Sequence, residues 1–212
     1  MAFSTEDLQV MDSIIKRYPR SRSAIMPLLH FVQSKAGYVT NEGIEVIAQL
    51  LQLEAAEVTA VSTFYTQYKP TPVGEYHVGV CTNTLCAVMG GDAIFASLKD
   101  HLGIGNDEVT ADGKVSLEHI ECNAACDYAP VVMANWEFYD NQTVESAKAL
   151  VDGARAGNPP APTRGPNHLV TYKQASAVLA GLDDGLAGEG VQAGPATLLG
   201  LDIARTGEKG GK

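Results

Sequence analysis

The cysteines of this chain constrain its fold more than any other feature. There are four of them, in two pairs: Cys81 with Cys86, and Cys122 with Cys126. Each pair stands directly behind a segment with strand periodicity. Tyr76, Val78 and Val80 alternate with His77 and Gly79 and run into Cys81, while Val115 and Leu117, between Gly113 and Glu121, lead to Cys122. A fold that uses the four thiols together must bring two post-strand loops to one edge of one sheet.

The rest of the chain fits around that requirement. Up to residue 70 the period is helical. Ser4 caps a helix with Leu8, Met11, Ile14 and Ile15 on one face, ending before Pro19. Ile25, Leu28, Leu29 and Val32 mark a second, ending near Gly37. Thr40 or Asn41 caps a third, with Ile44, Ile47, Leu50 and Leu51, and Ala55, Val58, Val61 and Tyr65 form a fourth before Pro70 and Pro72. After Cys86, Ile94, Phe95, Leu98 and Leu102 take helical spacing. Pro130 opens an apolar stretch, Val131 to Ala134, which Asn135 turns back through Phe138 and Tyr139. Thr143 caps a closing helix with Val144, Ala147, Leu150 and Val151. The expected fold class is α+β, in three parts: a helical bundle over 1–70, a thioredoxin-like α/β domain over 74–154, and a tail over 155–212. The tail begins with prolines at 159, 160, 162 and 166, holds a short helical candidate from His168 to Leu182, and ends in a glycine-rich stretch with isolated Leu198, Leu199, Leu201 and Ile203. The expectation is a segment ordered by a partner.

Composition narrows the functions. Fifteen basic against 25 acidic residues leave a net charge of −10, which argues against a nucleic-acid binder. The longest apolar run is Leu85 to Met89, far from the roughly 20 residues of a membrane helix, and the N-terminus lacks a signal-peptide layout. A soluble, unexported chain is expected. Four cysteines in 212 residues are too sparse for a disulfide scaffold, and grouped cysteines in a reducing compartment bind metal or do redox work.

The grouping is C-x4-C followed by C-x3-C. A 2Fe-2S cluster is two irons bridged by two sulfides, so each tetrahedral iron needs two protein thiolates, and two local pairs supply them. Thr82, Asn83 and Thr84 in the first loop offer amides and hydroxyls to the sulfurs. Zinc also takes four cysteines, usually from tighter knuckles, and spacing alone leaves it open. A thiol oxidoreductase would use C-x-x-C at a helix start, and no such motif occurs.

At these residues the chain resembles the thioredoxin-like 2Fe-2S ferredoxin family of complex I, the E or 24 kDa subunits of NADH-quinone oxidoreductases. The likeness runs through Tyr18-Pro19, Arg22 to Gln33, Gly37-Tyr38-Val39, VSTFYTQY at 61–68, VCTNTLC at 80–86 and ECNAACDYAPVV at 121–132, covering about residues 10 to 155. It implies one 2Fe-2S cluster held by Cys81, Cys86, Cys122 and Cys126, with no catalytic residue beyond these ligands. The cluster would exchange single electrons with the FMN of a partner flavoprotein that also binds NADH, so the chain would carry neither itself. Within an oxidoreductase complex, its neighbours would be that flavoprotein and an iron–sulfur subunit, on the cytoplasmic face of the bacterial inner membrane. Similar subunits serve NAD-reducing hydrogenases and NAD-dependent formate dehydrogenases, and a zinc-stabilised structural subunit is a further alternative.

Two departures from the family pattern stand out. Asn123-Ala124-Ala125 replaces a loop in which the family usually has glycine at the middle position; if that position needs positive φ, Ala124 costs about 1 kcal/mol. Ala87 follows Cys86 where the family often carries histidine or another polar residue. His77 and His119 read as ordinary strand histidines. Phe64, Tyr65 and Tyr68 form an aromatic group at the end of the helical part, best read as packing.

Overall fold

The computed structural model describes residues 3–207, which divide into two compact units. The first takes the chain up to Tyr76 together with Val170–Asp184; the second takes His77–Leu169 and the segment from Gly185 onward.

The first unit is helical. Helix α1, Thr5–Ile15, starts on a capping box: Asp7 N–H donates to Ser4 Oγ at 3.1 Å and Ser4 N–H donates back to Asp7 Oδ2 at 3.0 Å. Helices α2 (Ile25–Ala36), α3 (Asn41–Leu51) and α4 (Ala55–Phe64) follow. Helix α2 ends at Gly37, whose φ of 86° is the left-handed stop that glycine adopts without a Cβ clash. Met11, Ile14, Leu28, Leu29, Phe31, Val32, Ile47 and Val58 form the core. Leu8 and Leu50, expected on the buried stripe, lie at its edge and are exposed. Tyr65 falls just after α4 and is exposed with Phe64, whereas Tyr68 is buried and its Oη donates to the Met26 carbonyl at 3.1 Å.

The reading of 155–212 as a linker and tail needs correction here. Residues 170–184 return to the helical unit, where α8 (Tyr172–Leu179) packs along α2. Tyr172 is buried; its Oη donates to Gln33 Oε1 at 3.1 Å and its N–H donates to the Glu75 carbonyl at 2.8 Å. Gln33 is fully buried and its Oε1 also accepts the Lys69 N–H at 2.7 Å. Buried amides are tolerated when their hydrogen bonds are made, and a residue 139 positions away completes this set.

The second unit is built on a five-stranded sheet in the order β2-β3-β1-β4-β5. Its strands are β1 (Tyr76–Cys81), β2 (Glu108–Val109), β3 (Val115–Ile120), β4 (Val132–Ala134) and β5 (Glu137–Tyr139). Every residue of β1 is buried, as expected for the central strand. Helices α5 (Thr84–Val88) and α6 (Gly91–Leu102) follow β1, and α6 packs with α7 (Val144–Arg155) and β3. Ile94, Leu98, Ala147, Leu150 and Val151 are their buried residues. Asn135 and Trp136, with φ of 49° and 75°, form the tight turn between the antiparallel β4 and β5. Asn135 also ties that hairpin to β1, its Oδ1 accepting the His77 N–H at 2.7 Å. The segment expected to gain order only from a partner contains helix α9, Pro195–Thr206, which starts against this unit. No helix among the described residues is long and apolar enough to cross a membrane.

Candidate metal centre

The first thiol pair is set by the end of β1 and the short helix after it. Cys81 is the last residue of β1, its N–H donating to the Val131 carbonyl at 3.1 Å, and Cys86 lies inside α5; both are buried. The return of the chain into α6 passes very close to both. A Cβ at Gly91 would sit 2.5 Å from the Cys81 carbonyl oxygen and 2.9 Å from that of Cys86. Only glycine fits such an approach without a shift.

The second pair comes from the loop after β3. Cys122 lies two residues beyond Ile120, and Cys126 opens a 3-10 turn, Cys126–Tyr128; both thiols are exposed. Ala124 between them has φ of 51°, the left-handed conformation that glycine would adopt freely. In that conformation its N–H donates to Cys122 Sγ at 3.4 Å. A further contact joins the pairs, Cys81 Sγ donating to the Glu121 carbonyl at 3.6 Å.

Electrostatics show the same proximity. Burial pushes the Cys86 thiol up to about 11, opposed by a backbone hydrogen bond at Val131 and reinforced by Cys81 and Cys126. The Cys126 thiol is also raised, by desolvation first and then by Cys122, Cys81 and Asp127. The neighbouring thiols raise one another: Cys81 and Cys126 act on Cys86, and Cys122 and Cys81 on Cys126. The four are free thiols. Among the described residues no three His, Cys, Asp or Glu side chains gather about a point as one ion would require. Around Cys81 and Cys86 stand Ala125, Ala129 and Val131, with Ile120 and Phe138 packed against them. The two histidines stay apart from the thiols. His77 is buried, with Nδ1 at 2.8 Å from Ser116 Oγ and Nε2 at 2.7 Å from Glu118 Oε2, and His119 packs its ring against Phe95.

Residues 11–155 match the family described as thioredoxin-like 2Fe-2S ferredoxin, and the chain belongs to that family. The E subunit of the NADH-quinone oxidoreductase of Mycobacterium tuberculosis is 61% identical over 194 residues, covering 91% of this chain and 76% of that protein. Its namesake from Rickettsia bellii is 41% identical over 157 residues, covering 73% of this chain and 94% of the relative. A solved structure, the NAD+-reducing NiFe-hydrogenase in the air-oxidised state, shares the fold with a TM-score of 0.55 at 20% identity, over 62% of this chain and 23% of the other.

Proposed function

We propose that this chain is the electron-transfer subunit of an NADH:quinone oxidoreductase, in which Cys81, Cys86, Cys122 and Cys126 hold one 2Fe-2S cluster. The observation that carries the reading is the placement of the thiols on two loops, Cys81 and Cys86 after β1 and Cys122 and Cys126 after β3, with the Cys81 to Glu121 contact between the loops. Two irons bridged by two sulfides each take two thiolates, which two local pairs supply. The relatives from NADH-quinone oxidoreductases support the choice of complex, and the hydrogenase likeness is one of fold.

The donor set fits the group. Thiolates are the ligands that iron–sulfur clusters take, and the apolar wall of Ala125, Ala129, Val131, Ile120 and Phe138 keeps water from the first couple. That wall also makes bare thiolate charge costly, which is why the Cys86 thiol rises; loading therefore releases protons. When bound, the cluster supplies a one-electron couple. The Ala124 N–H directed at the Cys122 sulfur stabilises negative charge on that side and shifts the potential upward. In this reading the four residues hold and tune the cluster.

The electron partner in this reading is an FMN-bearing, NADH-binding flavoprotein, with an iron–sulfur subunit beside it. The assembly lies on the cytoplasmic face of the membrane. The cluster-bearing domain is assigned to residues 74–154. The test is isolation of the tagged full chain from its own cells in mild detergent: FMN, NADH dehydrogenase activity and quinone reduction should come with it. Nickel and hydrogen-dependent NAD+ reduction in place of quinone activity would reassign it to a hydrogenase.

A further inference from the structure

The loop carrying the second thiol pair is held from outside by a distant part of the chain. The two residues that follow Cys126 are both taken by the start of α9. Thr197 Oγ1 donates to Asp127 Oδ2 at 2.8 Å, and the Ala196 N–H donates to Tyr128 Oη at 3.1 Å. The Tyr128 ring lies 5.5 Å from the Arg164 guanidinium, which also lies 4.6 Å from the Phe138 ring; Phe138 in turn packs against the buried set that contains Cys81 and Cys86. Arg164 is fixed by Asp140 at 2.8 Å, both side chains being largely buried. Further along, the Gly165 N–H donates to the Val191 carbonyl at 2.9 Å.

Two glycines let the segment lie this close. A Cβ at Gly194 would overlap Tyr128 Oη, and one at Gly190, where φ is 65°, would overlap the Gly165 carbonyl oxygen. A glycine-rich composition expected of a loose tail is here the condition for close contact. The segment itself lies beyond 155, where the family match ends, whereas its partners Asp127 and Tyr128 lie within the match.

We propose that residues 185–206 form a strap that positions the Cys122–Cys126 loop through Tyr128 and Asp127 and thereby slows loss of the metal centre. The proposal rests on the reading that the four thiols hold a cluster. Cys122 and Cys126 are the exposed half of the ligand set, so local opening of their loop is the route by which iron leaves. Breaking one of the strap's hydrogen bonds raises the population of the open loop by about 5-fold, the factor for one ordinary hydrogen bond. Tyr128 is thus a positioning residue, acting through Cys126.

The test uses the iron-loaded full chain and three substitutions that touch no thiol: Tyr128→Phe, Thr197→Ala and Gly194→Ala, with Thr197→Ser as the conservative control. The readouts are the rate of iron transfer to an external chelator, the EPR line shape of the reduced protein and the cluster midpoint potential. Tyr128→Phe and Thr197→Ala should each release iron about 5-fold faster. Gly194→Ala should be at least as fast, since its methyl displaces Tyr128. Line shape should change with the rate, while Thr197→Ser keeps the parent behaviour and all variants keep the parent helical circular dichroism. Release rates within about 2-fold of the parent, with unaltered line shape and potential, would overturn the strap and leave the cluster reading standing. A parent chain that takes up zinc, or no iron and sulfide, would overturn both.

Discussion

Replacing Ala124 by glycine should stabilise the protein, and the size of the effect follows from one dihedral angle. Ala124 sits at φ of 51° between the ligand candidates Cys122 and Cys126. An L residue in the left-handed region costs about 1–2 kcal/mol, a cost that glycine escapes. Glycine loses about 0.5–1 kcal/mol more backbone entropy than alanine on folding. The difference is a net stabilisation of about 0.5–1 kcal/mol, or roughly 1–4 °C in melting midpoint for a chain of this size. The donated hydrogen bond from residue 124 to Cys122 Sγ is made by the backbone N–H and survives the substitution. The cluster potential should therefore stay put while the melting midpoint rises. Differential scanning calorimetry on the metal-free and iron-loaded forms, with Ala124→Val as the opposite control, checks this. Valine adds a β-branch to a left-handed residue and should lower the midpoint. A lower midpoint for Ala124→Gly would refute the reasoning, because it would mean that position 124 is not left-handed in the folded protein.

Gly91→Ala drives a methyl into the Cys81 and Cys86 carbonyl oxygens and should separate the first couple; iron content after anaerobic reconstitution should fall well below the parent's, and parental iron content would show that the approach is looser. Burial holds the His30 imidazole down to about 4, below its ordinary value of 6.5. Its neutral form is therefore the folded one: the stability it contributes is complete above pH 6.5, declines as the pH falls and amounts to a loss of about 3 kcal/mol by pH 4. Urea midpoints of the metal-free chain from pH 7 to 4 should fall less steeply in His30→Leu, and identical slopes would contradict this. Tyr172→Ala should destabilise the helical unit by about 3–5 kcal/mol through the cavity and the lost bond to Gln33, whereas Tyr172→Phe should cost about 1 kcal/mol; denaturant midpoints separate the two.

The helices of the first unit were legible because their caps and periods are local: Ser4, Thr40 and Gly37 stand where the sequence places them. The run of β1 into Cys81 and the turn at Asn135 were legible for the same reason. The four thiols announced themselves by spacing. What was not legible depends on long-range packing. Strand β2 has two residues, too few to show alternation, and forms because β3 offers it a partner. Helix α8 carries one aromatic residue, Tyr172, and its burial depends on Gln33 being ready to accept the Tyr172 hydroxyl. The start of α9 depends on Asp127 and Tyr128 in the same way. The excess of glycine in this region reads locally as looseness, yet at Gly190 and Gly194 it marks backbone pressed against neighbouring atoms. Truncation at Arg155 would accordingly strip α8 from the helical core as well as remove a tail.

The central claim is that the two thiol couples share one 2Fe-2S cluster. Anaerobic purification followed by determination of iron, acid-labile sulfide and zinc per chain, with EPR spectra before and after dithionite reduction, tests it most directly. The account predicts two irons and two sulfides per chain, no zinc, and a paramagnetic signal that appears only on reduction. One zinc per chain, or neither iron nor sulfide after attempted reconstitution, would contradict it.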